Sequence, residues 1–379
     1  GRAVLLPPAS LTLTLFVGWT LPTVVMLDSP GRLIGFTMRV SALVAVAVLY
    51  VYIANARERL SLNHLLLGMC AVWGLVVVGG VLGALFPAVR LTTPMGLLLP
   101  ASITSNELVR DLVFPPLAEV QQPWGADEPF NRPAAPFPYT NGWGSAFALS
   151  TPVVLAAWLR LGGTRWRVLL SVGFLLSLIP VVASLNRGMF LMLGVAGGYV
   201  ALRLALTGHV RTLVVFLVAA AATVGALYSA GVGEQIAARQ EVSDTTAGRA
   251  SIYAATLRAV LGSPVLGYGA PRPSEDIGIN LGTQGAVWMY LFSYGFVGAI
   301  LFVLFLLGAI IVTARRVTDT PAAFLHSTLI AALVGAWYYG YDFTQWLIIV
   351  TALACLGRQR SRRDLATREA LSPRAWAHV

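Results

Sequence analysis

The sequence predicts an all-α, polytopic helical membrane protein with about ten transmembrane helices. Three observations carry that reading. Of the 379 residues 57% are hydrophobic and only 11% charged, far from the balance of a soluble domain. The apolar residues gather in runs that approach the roughly 20 positions a helix needs to cross a bilayer. Between the runs lie short Arg-bearing turns or one of two long hydrophilic segments, 87–141 and 231–285. The chain therefore reads as a single membrane domain, 1–357, with a basic tail, 358–379.

In order, the spans are 10–28, 35–54, 65–86, 142–159, 167–185, 189–206, 212–230, 286–313, 322–338 and 343–357. The first starts behind Pro7-Pro8 and is followed by no small-residue cleavage site, so it reads as a retained span and not a signal peptide. Cys70 and Cys355 fall inside apolar runs and offer no disulfide framework. The formal charge of +10 comes from Arg alone, since the sequence has no Lys. That excess does not call for nucleic acid, because Arg at cytoplasmic helix ends is what orients a membrane protein. With ten spans, Arg57, Arg59, Arg160, Arg165, Arg167, Arg203, Arg211, Arg315, Arg316 and the tail arginines share one face. The positive-inside rule makes that face cytoplasmic and puts both long segments outside. One span more or fewer would split the Arg clusters between the two faces.

The first outer segment is rich in Pro, and between Leu97 and Val120 its apolar residues are too interrupted to span, which suits short interfacial helices. It closes on Arg132-Pro-Ala-Ala-Pro-Phe-Pro-Tyr139-Thr-Asn141-Gly-Trp143, an extended, aromatic run that serves either as interfacial anchor or as sugar contact. Spans five and six are joined only by Ser184-Leu-Asn186-Arg187-Gly188. Arg187 then sits at the outer edge of the hydrocarbon, where charges usually face a cavity or a ligand. Within the spans only Arg39 approaches mid-membrane and no Asp or Glu does, which argues against ion-coupled transport.

In the second outer segment a helix begins at Asp244 or Thr245 and ends at Gly262-Ser-Pro264. Ile252, Tyr253, Thr256, Leu257, Val260 and Leu261 share one face, with Arg249 in its middle and Arg258 pointing away. A charge centred on a packing face needs an anionic partner, so Arg249 is the ligand contact and Arg258 a solvated or headgroup contact. Two outward guanidinium groups on different elements suit a phosphate-bearing partner, which they grip with paired hydrogen bonds. Glu275, Asp276 and Asp342 are the outer carboxylates near span ends, and each serves either an acceptor hydroxyl or the charge balance of the arginines. Metal ligation is poorly supported: there is no Asp-x-Asp and no paired His, and His64, His209, His326 and His378 all fall away from the outer face. No P-loop or Gly-x-Gly-x-x-Gly is present.

The ordered series Ser184-x-x-Arg187-Gly188, Gly248-Arg249-x-x-x-Tyr253, Ser263-Pro-x-x-Gly267-x-Gly269, Gly282-Thr-Gln284-Gly285 and a span with Gly295 and Gly298 resembles the O-antigen ligase and polymerase superfamily over residues 141–298. The resemblance implies a GT-C-like membrane glycosyltransferase, acting with inversion and without metal or cofactor. Its implied partners are a polyprenyl-pyrophosphate-linked glycan donor, a glycan acceptor and the bilayer. The implied setting is the bacterial inner membrane, with the reaction at the extracytoplasmic face. Arg187 and Arg249 match the arginines that hold the carrier pyrophosphate, and Asn141 matches the asparagine that opens the span after the first long loop. Gln284 stands where ligases place a histidine base. Glutamine cannot accept a proton at neutral pH, so either Gln284 orients the hydroxyl while Glu275, Asp276 or Asp342 is the base, or the bond to pyrophosphate breaks early. The catalytic candidates are thus Arg187, Arg249, Gln284, Glu275, Asp276 and Asp342. The substrate contacts are Arg187, Arg249, Arg258, Arg132, Asn141, Tyr139, Tyr253 and Arg272. A flippase or transporter of the same lipid-linked glycan is the alternative.

Overall fold

A computed structural model describes residues 6–105, 107–121, 130–234, 245–273 and 280–358. It is 74% helical. The elements are α1 (Ser10–Thr20, continued by the 3-10 turn Pro22–Met26), α2 (Pro30–Asn55), α3 (Leu62–Leu85), α4 (Pro94–Leu98), α5 (Ala101–Thr104), α6 (Glu107–Val113), β1 (Ala118–Gln121), β2 (Phe130–Pro133), α7 (Thr140–Arg160), α8 (Thr164–Ser184), α9 (Arg187–Leu206), α10 (Val210–Ser229), α11 (Thr245–Val260), β3 (Arg272–Pro273), β4 (Asn280–Leu281), α12 (Ala286–Ala314), α13 (Thr320–Gly335) and α14 (Phe343–Arg358). Each apolar run of the sequence coincides with a helix. Seven of them, α2, α3, α7 to α10 and α12, are long and apolar enough to cross a membrane.

Purely helical the chain is not. β1 and β2 pair antiparallel, with Glu119 opposite Arg132, and β3 pairs with β4. The helices expected from Leu97 to Val120 stop at Val113, because Pro115 and Pro116 remove a backbone donor and push the preceding residue out of helical geometry. The chain beyond them satisfies its backbone in a ribbon instead.

The last two helices, of 16 residues each, form the core of the bundle. α13 buries Ala322 to Leu329 without a break, and α14 buries Ile348 to Leu356 likewise. A helix apolar all round belongs inside other helices. α7, α9 and α12 surround α13, while α2 and α7 flank α14. α7 is rich in Gly, Ala and Ser at the contacts, which lets backbones approach closely.

Both ends of the bundle are closed by polar side chains reaching carbonyls that helix termini leave unpaired. At one end Arg203 donates to Val317 O at 3.0 Å, Arg316 to Gly357 O at 2.9 Å, and Arg358 to both Leu60 O and Ile53 O. The described members of the expected Arg clusters all gather here. The opposite, loop-bearing end holds the two ribbons and α11.

There α12 breaks at Gly295, whose φ is 68° and ψ −173°. The segment after α11 inserts into the break. Tyr268 and Gly269 donate backbone N–H to Phe292 O (2.9 Å) and Ser293 O (2.7 Å), and Phe296 N–H reaches Pro264 O at 2.8 Å. Helix carbonyls freed by the kink are thus paired again, the condition for tolerating a break inside an apolar helix. A Cβ on Gly267 would lie 2.5 Å from Gly295 N and from Phe292 O. The glycine motifs at 263–269 and at 295 are therefore two halves of one joint. Arg32 clasps the same insert, donating to Tyr268 O at 2.8 Å, to Pro271 O at 3.2 Å and to Ala270 O, and pairing with Asp28 at 2.7 Å.

Candidate functional site

With 16 residues each, α13 and α14 rise only about 24 Å, whereas α2 has 26 residues and α12 has 29. The turn joining them at the loop end, Ala336 to Asp342, lies level with the starts of α7, α9 and α12, whose first residues or caps are bonded to it or to the helix it begins. Trp337 and Tyr338 nevertheless keep 43% and 41% of their surface exposed. Trp337, Tyr338 and Asp342 are thus the exposed residues of this turn, and they lie beside Tyr253 and Trp288 at the loop end.

The neighbouring elements are bonded to that turn. Ala286 and Val287, at the start of α12, donate backbone N–H to Tyr339 O (2.8 Å) and Ala336 O (3.0 Å), so the turn caps the helix. From α11, Tyr253 shares its hydroxyl hydrogen between Gln284 O at 3.1 Å and Trp337 O at 3.2 Å. Its ring stacks on Trp288 with centroids 4.2 Å apart, and Trp288 meets Trp337 edge-on at 6.1 Å. On the far side Tyr339 donates to the Asn186 side-chain oxygen, and Asn186 donates to Thr140 O at 3.3 Å. Gln345, inside α14, donates to Gly142 O and to Ser145 Oγ, both at 3.0 Å, while its own oxygen accepts the Asp342 N–H at 3.1 Å.

The electrostatics of the turn follow from this crowding. Burial pushes the Tyr339 phenol up to about 12, against the pull of Arg249 and Arg132. Burial likewise raises the Tyr253 phenol, with Arg249 opposing it. Asp342 has accessible surface, yet protein flanks it on most sides, and that desolvation raises its carboxyl above the ordinary range while Arg39 pulls the other way. Two positive side chains and a carboxylate with a perturbed pKa beside exposed aromatics make a chemically specialised surface.

Arg187 is the first residue of α9, next to Asn186, which caps that helix by accepting from Met189 N at 3.3 Å. Arg249 is half-buried on the inner face of α11, one turn before Tyr253. The charge of Arg249 acts on Tyr339, while Arg187 is exposed between Asn186 and Gly188, the two residues that meet the Tyr339 side chain. Gln284 is brought against Trp337 through Tyr253 and Gly285, and Asp342 ends the turn. The buried face of α11 is narrower than its sequence suggests: Ile252, Thr256 and Val260 are buried, but Leu257 and Leu261 are exposed. Arg258 is exposed, away from that face.

Other candidates sit apart or serve as supports. Arg132 is buried, and its Nε donates to Ser184 O at 2.7 Å, which braces the turn that carries Arg187. Asn141 lies in the first turn of α7, but the asparagine bonded to the Trp337–Asp342 turn is Asn186. Tyr139 is exposed just before α7. Arg272 stacks over Tyr268 at 4.1 Å and faces Asp28 at 4.0 Å, near the Arg32 clasp and not at the turn. Glu275 and Asp276 lie outside the described residues. Sequence reasoning passed over Asn186 and Arg32. Asn186 carried a signal, since Asn before a helical run is a strong N-cap. Arg32 did too, since a cation in the first turn opposes the helix dipole and needs an outside reason.

Among the described residues no three His, Cys, Asp or Glu side chains gather as metal ligands would. No family model, curated protein or solved structure matches the chain.

Proposed function

We propose that this chain is a membrane glycosyltransferase that moves a glycan from a polyprenyl-pyrophosphate carrier to an acceptor glycan at the extracytoplasmic face of a bacterial inner membrane. One observation carries the reading: two arginines from separate elements, Arg187 beside the Asn186–Tyr339 contact and Arg249 acting on Tyr339 from α11, flank a turn that presents exposed aromatic rings and a carboxylate. By the positive-inside rule the Arg-bearing end is cytoplasmic and the turn lies outside, where lipid-linked glycans are polymerised or ligated.

Guanidinium groups bind phosphate oxygens with two parallel hydrogen bonds and stay charged at any working pH. Arg187 and Arg249 hold the carrier diphosphate and stabilise its charge as it leaves, the kind of electrostatic aid that supplies the largest share of many rate enhancements. Trp337 and Tyr338 offer apolar faces for sugar rings. The acceptor oxygen attacks the anomeric carbon from the side opposite the diphosphate, the carbon–oxygen bond to the carrier breaks, and configuration inverts. Asp342, the carboxylate of the turn, takes the hydroxyl proton, while Gln284 orients that hydroxyl. The order of the motifs, which resembles the O-antigen ligase and polymerase superfamily, supports the same assignment.

The test is transfer in vesicles holding the purified protein, a carrier-linked glycan and an acceptor. Product that appears with the wild-type chain and vanishes with Arg187→Ala and Arg249→Ala supports the reading. Full activity of both variants overturns it, and movement of carrier lipid between leaflets without an acceptor would assign a flippase instead.

A further inference from the structure

Arg39 lies in α2, about two turns further into the bundle than Arg32. On α2 the buried residues Phe36, Val40, Leu43, Val46 and Tyr50 form one stripe. Arg39 adjoins Val40 and stands one turn from both Phe36 and Leu43, so its side chain leaves the helix toward the bundle and not toward lipid. One of its terminal nitrogens, Nη1, is buried without a hydrogen-bond partner. A half-buried cation in a membrane helix, with one nitrogen fully buried and unbonded, is costly unless an anion compensates it.

Helix register identifies the anion. α2 and α14 pack side by side, and Arg358 at the end of α14 bonds Ile53 O near the end of α2. Counting back the same number of turns from each residue brings Met38 and Arg39 level with Phe343, the residue after Asp342. The other ionisable groups facing this level are phenols: Tyr290 and Tyr294 on α12 and Tyr341 in the turn. Tyr290 accepts from Trp346 Nε1 at 3.1 Å, and the Tyr294 hydroxyl is buried without a partner. Asp342 is therefore the carboxylate at hand among the described residues. Arg39 acts on Asp342 through space, without a direct ion pair among the described residues.

We propose that Arg39 is the positioning residue that keeps Asp342 a carboxylate at the end of the turn, so that Asp342 can remove the acceptor's proton. The inference rests on the glycosyltransferase reading above. The balance of the step is complete: the acceptor O–H proton passes to a carboxylate oxygen of Asp342, the freed oxygen bonds the anomeric carbon, and the electron pair of the broken bond leaves on the diphosphate. Desolvation raises the Asp342 carboxyl and so works against its ionised form. Arg39 counteracts that desolvation, and the through-space pull of Arg39 on the Asp342 carboxyl has this sign.

A readout independent of transfer tests the pair. The carboxyl infrared band of the full chain in lipid nanodiscs is titrated without substrate, and subtraction of Asp342→Asn isolates the Asp342 signal. Arg39→Gln is expected to move the titration midpoint upward, and Arg39→Lys to hold it near wild type. Arg39→Met, similar in length and apolar, replaces the Gln variant should the latter fail to fold. In the vesicle assay Arg39→Gln loses about tenfold or more in turnover at neutral pH and recovers as pH rises, with carrier-lipid KM unchanged. An unmoved infrared midpoint, or a transfer profile that falls equally at all pH, overturns the role of Arg39. If wild-type chain transfers nothing, the glycosyltransferase reading falls, whereas the infrared titration still decides the pairing.

Discussion

The phenol of Tyr339 donates its hydrogen to the side-chain oxygen of Asn186, 153 residues earlier in the chain. That oxygen also accepts Met189 N–H, and the Asn186 amide donates to Thr140 O. One asparagine thereby joins the start of α7, the cap of α9 and the turn between α13 and α14. The position of Arg187 relative to that turn is set by this knot, and Gly188 lies directly against the Tyr339 ring.

Removing the hydroxyl with Tyr339→Phe leaves a buried asparagine short of a donor, for a loss of about 1–3 kcal/mol. Gly188→Ala, whose new methyl would strike the phenol, should cost at least as much. Thermal unfolding of the detergent-solubilised protein measures both, and no shift in either variant would show that the knot holds nothing.

Arg187→Ala and Arg249→Ala should each lower glycan transfer by about 100-fold or more, the scale for losing one preorganised charge stabiliser. Replacement by Lys keeps the charge but not the bidentate fork and restores only part of the rate. Arg258→Ala and Arg272→Ala, placed away from the turn, should stay within a few-fold of wild type. Initial rates against carrier-lipid concentration separate these outcomes.

Gly295→Ala and Gly267→Ala should destabilise the protein by about 1–3 kcal/mol from backbone strain alone, with steric collision added. Gly295 has φ 68° and Gly267 φ 65°, a region that side chains avoid. Gly308→Ala, in the same helix with open space around it, is the matched control and should be neutral or slightly stabilising. Melting temperatures of the three variants decide this.

With Asp342 as the proposed base, the rate of transfer should depend on pH. Its folded carboxyl pKa is raised by burial, and a base must be ionised to act, so transfer should climb with pH on an acid limb lying above the ordinary carboxylate range. Asp342→Asn should remove that limb together with about 100-fold or more of the rate. A raised folded pKa favours the folded state at low pH and loses that contribution as pH rises through it. The Asn variant, neutral at every pH, should therefore be at least as stable as wild type at neutral pH, with the difference growing as pH rises through the Asp342 titration. A rate profile unchanged by Asp342→Asn would assign the proton to another group.

Much of the architecture was legible because lipid-facing and core-facing helices announce themselves by apolar length. The expected spans and the helices differ mainly by a few residues at their ends. The site was legible in part. Arg187 was marked by a turn too short to leave the hydrocarbon edge, and Arg249 by its place on the packing face of α11. Arg272 and Arg132 looked equally available in the sequence, yet one is engaged with Tyr268 and Asp28 and the other is buried against Ser184. No local pattern reveals which carbonyl or ring an arginine meets.

The sequence by itself determined which segments are helical, that many of them are too apolar for water, and that the arginines gather toward one end. These are consequences of composition and periodicity, which act locally. Tertiary structure alone decided that two short helices form the core, so that their connecting turn brings Trp337, Tyr339 and Asp342 against the starts of α9 and α12. It also decided that Gly267 and Gly295 close a single joint and that Arg39 stands level with Asp342. Such facts depend on how far each helix rises beside its neighbours, and packing fixes that register between residues hundreds of positions apart.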